Sequence, residues 1–166
     1  MIIKYNTNGE AEWAKIIGCG GENSYVTSVT QTTDEGYIIG GYRTPMASET
    51  PNTGILIKYN EEREEEWRKE IKENNEEIKI NSVAQTMDDG YIVGGYFASS
   101  NIDLGNGVTL SSNGNNNGMV IKYNTKGETV WAKVIGGNSN DYINSAVETK
   151  DEGYIVGGYF TSSSIN

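Results

Sequence analysis

The sequence predicts an all-β protein in which one four-stranded unit of about 50 residues is repeated. Lys4, Lys58 and Lys122 open the same motif, at intervals of 54 and 64 residues. Each copy contains short segments of strand-like composition separated by turn residues, and the spacing leaves no room for a helix. We therefore interpret residues 1–166 as one repeat region, with copies at about 1–54, 55–118 and 119–166.

Each copy opens with a predicted β-hairpin. In the first copy, residues 2–6 and 11–17 are the strands, and Asn8-Gly9 is the turn, because both residues tolerate positive φ. The third copy keeps a glycine at this position. In the second copy Arg63 replaces it, so this turn departs from the pattern.

A second hairpin follows, with strands over residues 25–31 and 37–42. Its turn, residues 33–36, pairs an aspartate that can bond the backbone with a glycine that can take positive φ. Equivalent turns lie at 88–90 and 151–153. The strand after each turn contains paired glycines, which indicate a close approach of another backbone.

Two connections interrupt the pattern. Residues 43–54 are predicted to be a loop that holds both prolines. Residues 98–118 are predicted to be a longer loop, rich in Ser, Asn and Gly, with an apolar island at 102–110. Loops of this length are uncommon in compact domains and are often functional or disordered.

The aromatic residues follow the repeat. A ring that returns at the same position in each copy serves a purpose that each copy has, such as packing one repeat on the next. We therefore interpret these rings as packing residues rather than as a ligand platform. The matched sets are Tyr5/Tyr59/Tyr123, Tyr37/Tyr91/Tyr154, Tyr42/Tyr96/Tyr159, Tyr25/Tyr142, Trp13/Trp67/Trp131 and Phe97/Phe160.

Charge and composition exclude several classes of partner. The net charge of −10 argues against nucleic acid and anionic membranes, which need a basic face. No apolar run approaches the roughly 20 residues of a membrane span, so membrane insertion is not expected. Met1 is followed at once by repeat sequence, so we expect no signal peptide and interpret the chain as a piece of a longer array.

No residue is predicted to be catalytic, cofactor-binding or metal-binding, and no cofactor is expected. The chain has no histidine, which is the commonest general base. Cys19 cannot form an intrachain disulfide and lacks a histidine to activate it, so we interpret it as an incidental thiol. The turns at 34–36, 88–90 and 151–153 could suggest calcium, but turn chemistry accounts for them.

Residues 61–77 form a charged run with nine glutamates and four basic residues. This run could bind a basic partner. Alternatively, it is a solvated outer edge strand, on which charge prevents edge-to-edge aggregation. We favour the edge strand, because Trp67 and Ile71 alternate with charged residues as one apolar face requires.

Four strands in about 50 residues, repeated, are typical of a β-propeller blade. The order of motifs is Lys-Tyr-Asn-x-x-Gly-x-x-x-Trp-x-Lys, Gly-Gly, Ser-x-x-x-Thr and Asp-x-Gly-Tyr-Ile-Val-Gly-Gly-Tyr. This order resembles the bacterial β-propeller repeats of the SBBP type. The resemblance implies a scaffold in a bacterial secreted or cell-surface protein, without enzyme activity.

By analogy with kelch-like blades, the Ser/Thr strand is innermost, the Gly-Gly strand second and the Trp strand outermost. The chain then begins with an outer half-blade and ends with an inner one, so it forms an incomplete or open propeller that could self-associate through its half-blades. The expected function is binding of a protein or glycan, for example through residues 98–118. The alternative is part of a propeller-type hydrolase or lyase whose active residues lie elsewhere.

Overall fold

The computed structural model describes residues 1–18, 23–45, 51–72, 77–98, 101–112 and 115–164. These ranges contain β-strands and no helix, so the all-β prediction is confirmed, and none of them holds a helical segment suited to crossing a membrane. The strands are β1 (Ile2–Tyr5), β2 (Ala11–Lys15), β3 (Asn23–Gln31), β4 (Tyr37–Thr44), β5 (Thr53–Tyr59), β6 (Glu65–Ile71), β7 (Ile78–Gln85), β8 (Tyr91–Phe97), β9 (Ile102–Asp103), β10 (Thr109–Leu110), β11 (Asn117–Tyr123), β12 (Thr129–Ile135), β13 (Asp141–Glu148) and β14 (Tyr154–Phe160).

Apart from β9 and β10, the strands form four antiparallel sheets that follow one another along the chain. Strands β1 and β2 form the N-terminal half-sheet, and β13 and β14 form the C-terminal half-sheet. Between them, sheet I has the order β3-β4-β5-β6 and sheet II the order β7-β8-β11-β12. The predicted strand order is therefore confirmed within each sheet, with the Ser/Thr strand at one edge and the Trp strand at the other, although each sheet takes its strands from two successive copies.

The four sheets stack face to face, and an apolar cluster lies at each contact. Ile39 and Ile57 of sheet I pack against the N-terminal half-sheet, whereas Ile38 and Leu56 face sheet II. On the far side of sheet II, Ile92 belongs to the cluster shared with the C-terminal half-sheet. The Gly-Gly strands β4 and β8 are thus covered on both faces, whereas Val29 on the edge strand β3 remains half exposed.

The paired glycines allow this close stacking. A Cβ on Gly40 would lie 2.8 Å from Cγ2 of Ile80 in the next sheet. A Cβ on Gly41 would collide with the carbonyl oxygen of Tyr25, beside the bulge between Val26 and Ser28. The first glycine therefore serves the contact between sheets and the second serves the bulge within the sheet.

The prediction that residues 98–118 form a loop is wrong in its central part. Strands β9 and β10 form a small hairpin in which Leu110 pairs with Ile102, and both side chains are buried. We call residues 102–110 the insert hairpin. Its apolar side chains join the core between sheets I and II, and the hydroxyl of Thr129 donates a 2.7 Å hydrogen bond to the carbonyl of Leu104.

The predicted loop over residues 43–54 is also shorter than expected. Strand β4 continues to Thr44 and β5 begins at Thr53, with Arg43 paired to Thr53. Residues 46–50, and residues 19–22 with Cys19, lie outside the described ranges.

The acidic turns contain a glycine for a different reason from the one predicted. Positive φ falls on the preceding residue, for example Glu35 at 63° and Asp89 at 59°. A Cβ on Gly36 would instead collide with the carbonyl oxygen of Tyr59 and lie 2.6 Å from Nζ of Lys58. The glycine is required by the close approach of the neighbouring strand.

Arg63 does not alter the turn in which it lies. Its φ is 68°, close to the 74° of Gly127 in the third copy. Its amide donates a 3.0 Å hydrogen bond to the carbonyl of Asn60, as the Gly127 amide does to Asn124 at 3.1 Å. The left-handed conformation that glycine favours is here taken by an arginine.

Candidate functional site: a row of tyrosines across the sheets

In the second and third copies, the lysine that opens the copy links an acidic turn to the neighbouring strand. Nζ of Lys58, which is almost fully buried, lies 2.8 Å from Oδ2 of Asp34 and 2.9 Å from Oε2 of Glu66. It also donates a 3.0 Å hydrogen bond to the carbonyl of Tyr59. Lys122 contacts both carboxylate oxygens of Asp88 at 2.9 Å. In these two turns, the aspartate is therefore paired with a lysine ammonium.

These contacts keep the turn carboxylates ionised. The hydrogen bond from Thr86 has the largest influence on the pKa of Asp88, and together with Lys122 it outweighs partial burial and lowers this pKa to about 2. Burial acts to raise the pKa of Asp34, but hydrogen bonds from Lys58 and Thr32 outweigh it and lower the pKa. Such carboxylates hold no proton to donate at neutral pH.

The tryptophans join consecutive sheets. Each indole on an outer strand meets, edge to face, the tyrosine that begins the Gly-Gly strand of the following sheet. For the three tryptophans and their tyrosine partners, the interpretation as packing residues is therefore confirmed. The pairs are Trp13–Tyr37 (5.4 Å, 72°), Trp67–Tyr91 (5.7 Å, 62°) and Trp131–Tyr154 (5.2 Å, 71°).

Residues 65–71 of the charged run form β6, the outer edge of sheet I, as predicted, and residues 73–76 lie outside the described ranges. Several of its charges have partners at this edge. Arg68 Nη2 lies 2.8 Å from Glu65 Oε2, and Arg43 of β4 lies 3.0 Å from Glu70. Lys69 reaches the next sheet, where it donates a 3.2 Å hydrogen bond to the carbonyl of Gly127.

Among the described residues, Asp141 is the one fully buried carboxylate. It accepts hydrogen bonds from the amides of Gly137, Thr161 and Ser162 at 2.9 to 3.1 Å, and from the Ser162 hydroxyl at 2.5 Å. Burial acts to raise its pKa, but these bonds outweigh it and lower the pKa. Asp141 thus holds two chain segments together through its hydrogen bonds.

A different set of side chains lies at the end of the sheets opposite the acidic turns. We call it the tyrosine row. Tyr25 stacks on Tyr42 with ring centroids 4.8 Å apart, and Tyr96 meets Tyr142 edge-on at 4.6 Å. Tyr159 continues the row, 6.0 Å from Tyr142. In order along the stack, the row is Tyr25, Tyr42, Lys79, Tyr96, Tyr142 and Tyr159.

Lys79 bridges the two halves of the row. It occupies the strand position at which the other sheets have Tyr25 and Tyr142. Its Nζ lies 4.8 Å from the ring centroid of Tyr42 and 5.6 Å from that of Tyr96, a cation–π geometry. Burial acts to lower its pKa, but hydrogen bonding with Glu77 and Tyr96 outweighs this and raises it.

The row spans sheet I, sheet II and the C-terminal half-sheet and is partly open to solvent. Tyr25 is 45% exposed and Tyr159 57% exposed. Glu77 adds a carboxylate that accepts a 2.9 Å hydrogen bond from the Tyr96 hydroxyl. Phenol rings beside an ammonium and a carboxylate suit contact with a protein surface or with the C–H and O–H groups of a sugar.

The sequence shows that the tyrosines of the row recur, but on the sequence alone we interpret them as packing residues rather than as a ligand platform, so the row itself is not predicted. The signal was the pairing of Tyr25 and Tyr142 with Tyr42 and Tyr159, which requires the strand register. In the described part of the chain, no three His, Cys, Asp or Glu side chains are grouped so as to hold a metal ion. Comparison with protein-family models and with curated proteins finds no match for the chain.

Proposed function

We propose that the chain is a non-catalytic β-propeller repeat scaffold and that the tyrosine row is its surface for a protein or glycan partner. In line with the resemblance to SBBP-type repeats, we assign it to a bacterial secreted or cell-surface protein. The observation that carries the proposal is that some repeated side chains are used for packing whereas others remain exposed. Lysines, aspartates and tryptophans are used within and between sheets, whereas the tyrosine row remains partly exposed.

The shape of the contacts supports a propeller arrangement. At the inner edge, hydroxyl and amide side chains connect neighbouring strands directly: Thr27 donates to the carbonyl of Ile80 at 2.7 Å, and Asn81 to that of Ile143 at 2.8 Å. At the outer edge, indole rings and the insert hairpin fill the space between sheets. Small groups on one edge and large groups on the other splay the sheets as blades around an axis.

The proposal is tested with a panel of soluble polysaccharides, using retention in affinity electrophoresis and an assay for released reducing ends. Tyr42→Ser removes a ring from the middle of the row, and Met87→Ser, an exposed apolar side chain at the opposite end, is the matched control. We expect any retained polysaccharide to lose affinity for Tyr42→Ser but not for Met87→Ser, with both variants still folded by their melting curves and without product release.

Each other outcome has a defined meaning. If no polysaccharide is retained, the proposed partner is a protein. The same two variants are then compared for cross-linking to a purified candidate protein. Retention that is insensitive to Tyr42→Ser overturns the assignment of the surface. Release of reducing ends or unsaturated products by the wild-type chain overturns the non-catalytic assignment and favours the hydrolase or lyase alternative.

A further inference from the structure

Two regions of the chain expose residues that are buried at the equivalent repeat positions elsewhere, and the first is formed by β1 of the N-terminal half-sheet and β3 of sheet I. Tyr5 is 56% exposed, whereas Tyr59 and Tyr123 are 4% and 0% exposed. On the inner strand, Val29 is 50% exposed and its counterpart Val83 only 3%. The face formed by β1 and β3 therefore lacks the covering that the same positions have elsewhere.

The second region is the C-terminal half-sheet, which also exposes residues whose repeat counterparts are buried. Ile155 is 59% exposed, whereas Ile38 and Ile92 are fully buried. A Cβ on Gly157 would meet no described atom within 4 Å, although on Gly94 it would lie 2.8 Å from Cγ2 of Ile143. The free edge of β14 and the free face of β13 are thus shaped for a following sheet.

The ionic contacts show which edge fits which. In the complete sheets, Lys58 contacts Asp34 and Lys122 contacts Asp88. The equivalent lysine on β1 is Lys4, whose half-exposed ammonium pairs with Glu12 at 2.5 Å. The equivalent aspartate belongs to the turn between β13 and β14 and is Asp151, which is exposed. Each half-sheet therefore has one half of the repeated Lys–Asp pair.

The neighbouring glycine shows the same gap. A Cβ on Gly90 would collide with Nζ of Lys122 and the carbonyl oxygen of Tyr123. For Gly153, the nearest atoms belong to Thr149 and Asp151 of its own turn. This turn has kept the glycine that makes room for a lysine and a strand.

Hydrogen bonds between inner strands extend the match. The amides of Val83 and Ala146 each donate to the serine hydroxyl of the preceding sheet, at 3.1 and 3.2 Å. By the same register, the amide of Val29 fits the hydroxyl of Ser145 in another chain. The ring of Tyr25 likewise fits beside Tyr159, which would continue the tyrosine row.

We propose that a second copy of this chain completes the open sheets, with β1 of one copy pairing antiparallel to β14 of the other. Tyr5 then lies opposite Tyr154, and Lys4 bonds Asp151, as Tyr59 and Lys58 do in sheet I. This inference concerns assembly of the chain with itself and goes beyond the proposed binding function.

The strand count favours a closed pair. Each chain contributes two complete sheets and two half-sheets, which amount to three blades. Three blades fall below the four to eight that propellers normally have, two copies give about six, and three copies exceed the range. A head-to-tail contact that closes after two copies buries the open faces at both half-sheets of each copy.

The first measurement is the mass of the full chain by light scattering and sedimentation at tens of micromolar. We expect twice the monomer mass of 18.2 kDa. A monomer with a cooperative melt overturns the inference. A mass that grows with concentration overturns the closed pair, because it indicates an open head-to-tail fibre.

The second measurement is a charge swap between two side chains that are exposed in the single chain. Lys4→Asp alone, or Asp151→Lys alone, places like charges at both contacts, and each variant should raise the dissociation constant at least about tenfold. In a mixture of the two variants, one chain of each kind restores an Asp–Lys pair at both contacts. We therefore expect dimers in the mixture and monomers in the separate samples.

Gly157→Ala provides a control for folding. Because its Cβ meets open space within the chain, the variant should keep the monomer intact. It should still prevent dimer formation, since the equivalent Cβ at Gly40 would contact Ile80 and Val83 of the next sheet. Dimers that survive Gly157→Ala, or that ignore the charge swap, overturn the proposed register.

Discussion

The guanidinium of Arg63 lies over the indole of Trp13, 5.4 Å from the ring centroid, and the Arg63 carbonyl accepts a 2.8 Å hydrogen bond from Lys15. In the following sheet, the equivalent contacts come from Gly127, whose backbone lies directly against Trp67. Arg63 therefore covers Trp13 with its side chain, whereas Gly127 covers Trp67 with its main chain.

This difference predicts that two substitutions of Arg63 change the free energy of unfolding by different amounts. Arg63→Ala loses the cation–π contact but keeps a Cβ at positive φ, so we expect a loss of about 1 kcal/mol in the free energy of unfolding. Arg63→Gly loses the same contact but relieves the backbone, and should lie close to wild type. Urea denaturation measures both, and an alanine variant at least as stable as the glycine variant would contradict the account.

Trp67 is predicted to stabilise the stack of sheets rather than to bind a ligand. It packs on Tyr91 and against Gly127, where a Cβ would be 3.1 Å from the indole. Because this ring is only partly buried, Trp67→Ala should cost about 3 kcal/mol, the lower end of the range for aromatic truncation. Trp67→Phe should cost less. Unchanged melting of Trp67→Ala would show that the indole has no packing role.

The insert hairpin is predicted to be part of the core. Ile102 is fully buried between sheets I and II, so Ile102→Ala should cost about 3 kcal/mol. Ile16, which is 85% exposed, provides the control, and Ile16→Ala should change stability by less than about 0.5 kcal/mol. Thermal and urea melts compare the two. Equal stability of the two variants would mean that the hairpin is detached from the sheets.

The Asp88–Lys122 pair predicts a dependence of stability on acid. The folded pKa of Asp88 is about 2, below the ordinary value of 3.8. A depressed folded pKa contributes stability above the unfolded pKa, and this contribution is lost as the pH falls toward the folded value. The stability gap between wild type and Asp88→Asn should therefore be full at pH 7, shrink between about pH 4 and pH 2, and stay modest because the carboxylate is largely exposed. A gap that widens in acid would contradict this assignment.

Much of the sheet order could be predicted from the sequence because it depends on patterns that return. Trp67 and Tyr91 recur with the repeat, and a residue needed in each copy has a role between copies. The strand order within a sheet follows from the same argument. The strand register was harder to predict. Tyr25 and Tyr42 become neighbours only because of a bulge between Val26 and Ser28, and no residue type in the sequence indicates this bulge.

Local conformation was predicted less well than order. Glycine at position 36 suggested positive φ, yet the constraint is steric and comes from Tyr59, 23 residues away in sequence. Arg63 suggested a different turn, yet contacts with neighbours hold the arginine in the conformation of a glycine. Both errors have one cause: in a stack of sheets, tertiary contacts outweigh the intrinsic preference of a single residue.

The chain leaves sheet II after Phe97, forms the insert hairpin and returns to the sheet at Asn117. Phe97 and Asn117 are directly paired across β8 and β11. The sheet therefore holds both ends of the inserted segment at adjacent points, whatever length of chain lies between them. Loop closure costs grow slowly with length, so this junction can accept a segment of different length with the β8–β11 ladder unchanged, as long as that segment still fills the core between sheets I and II. One sheet can therefore carry an insert that the other lacks, while both keep the same order of strands.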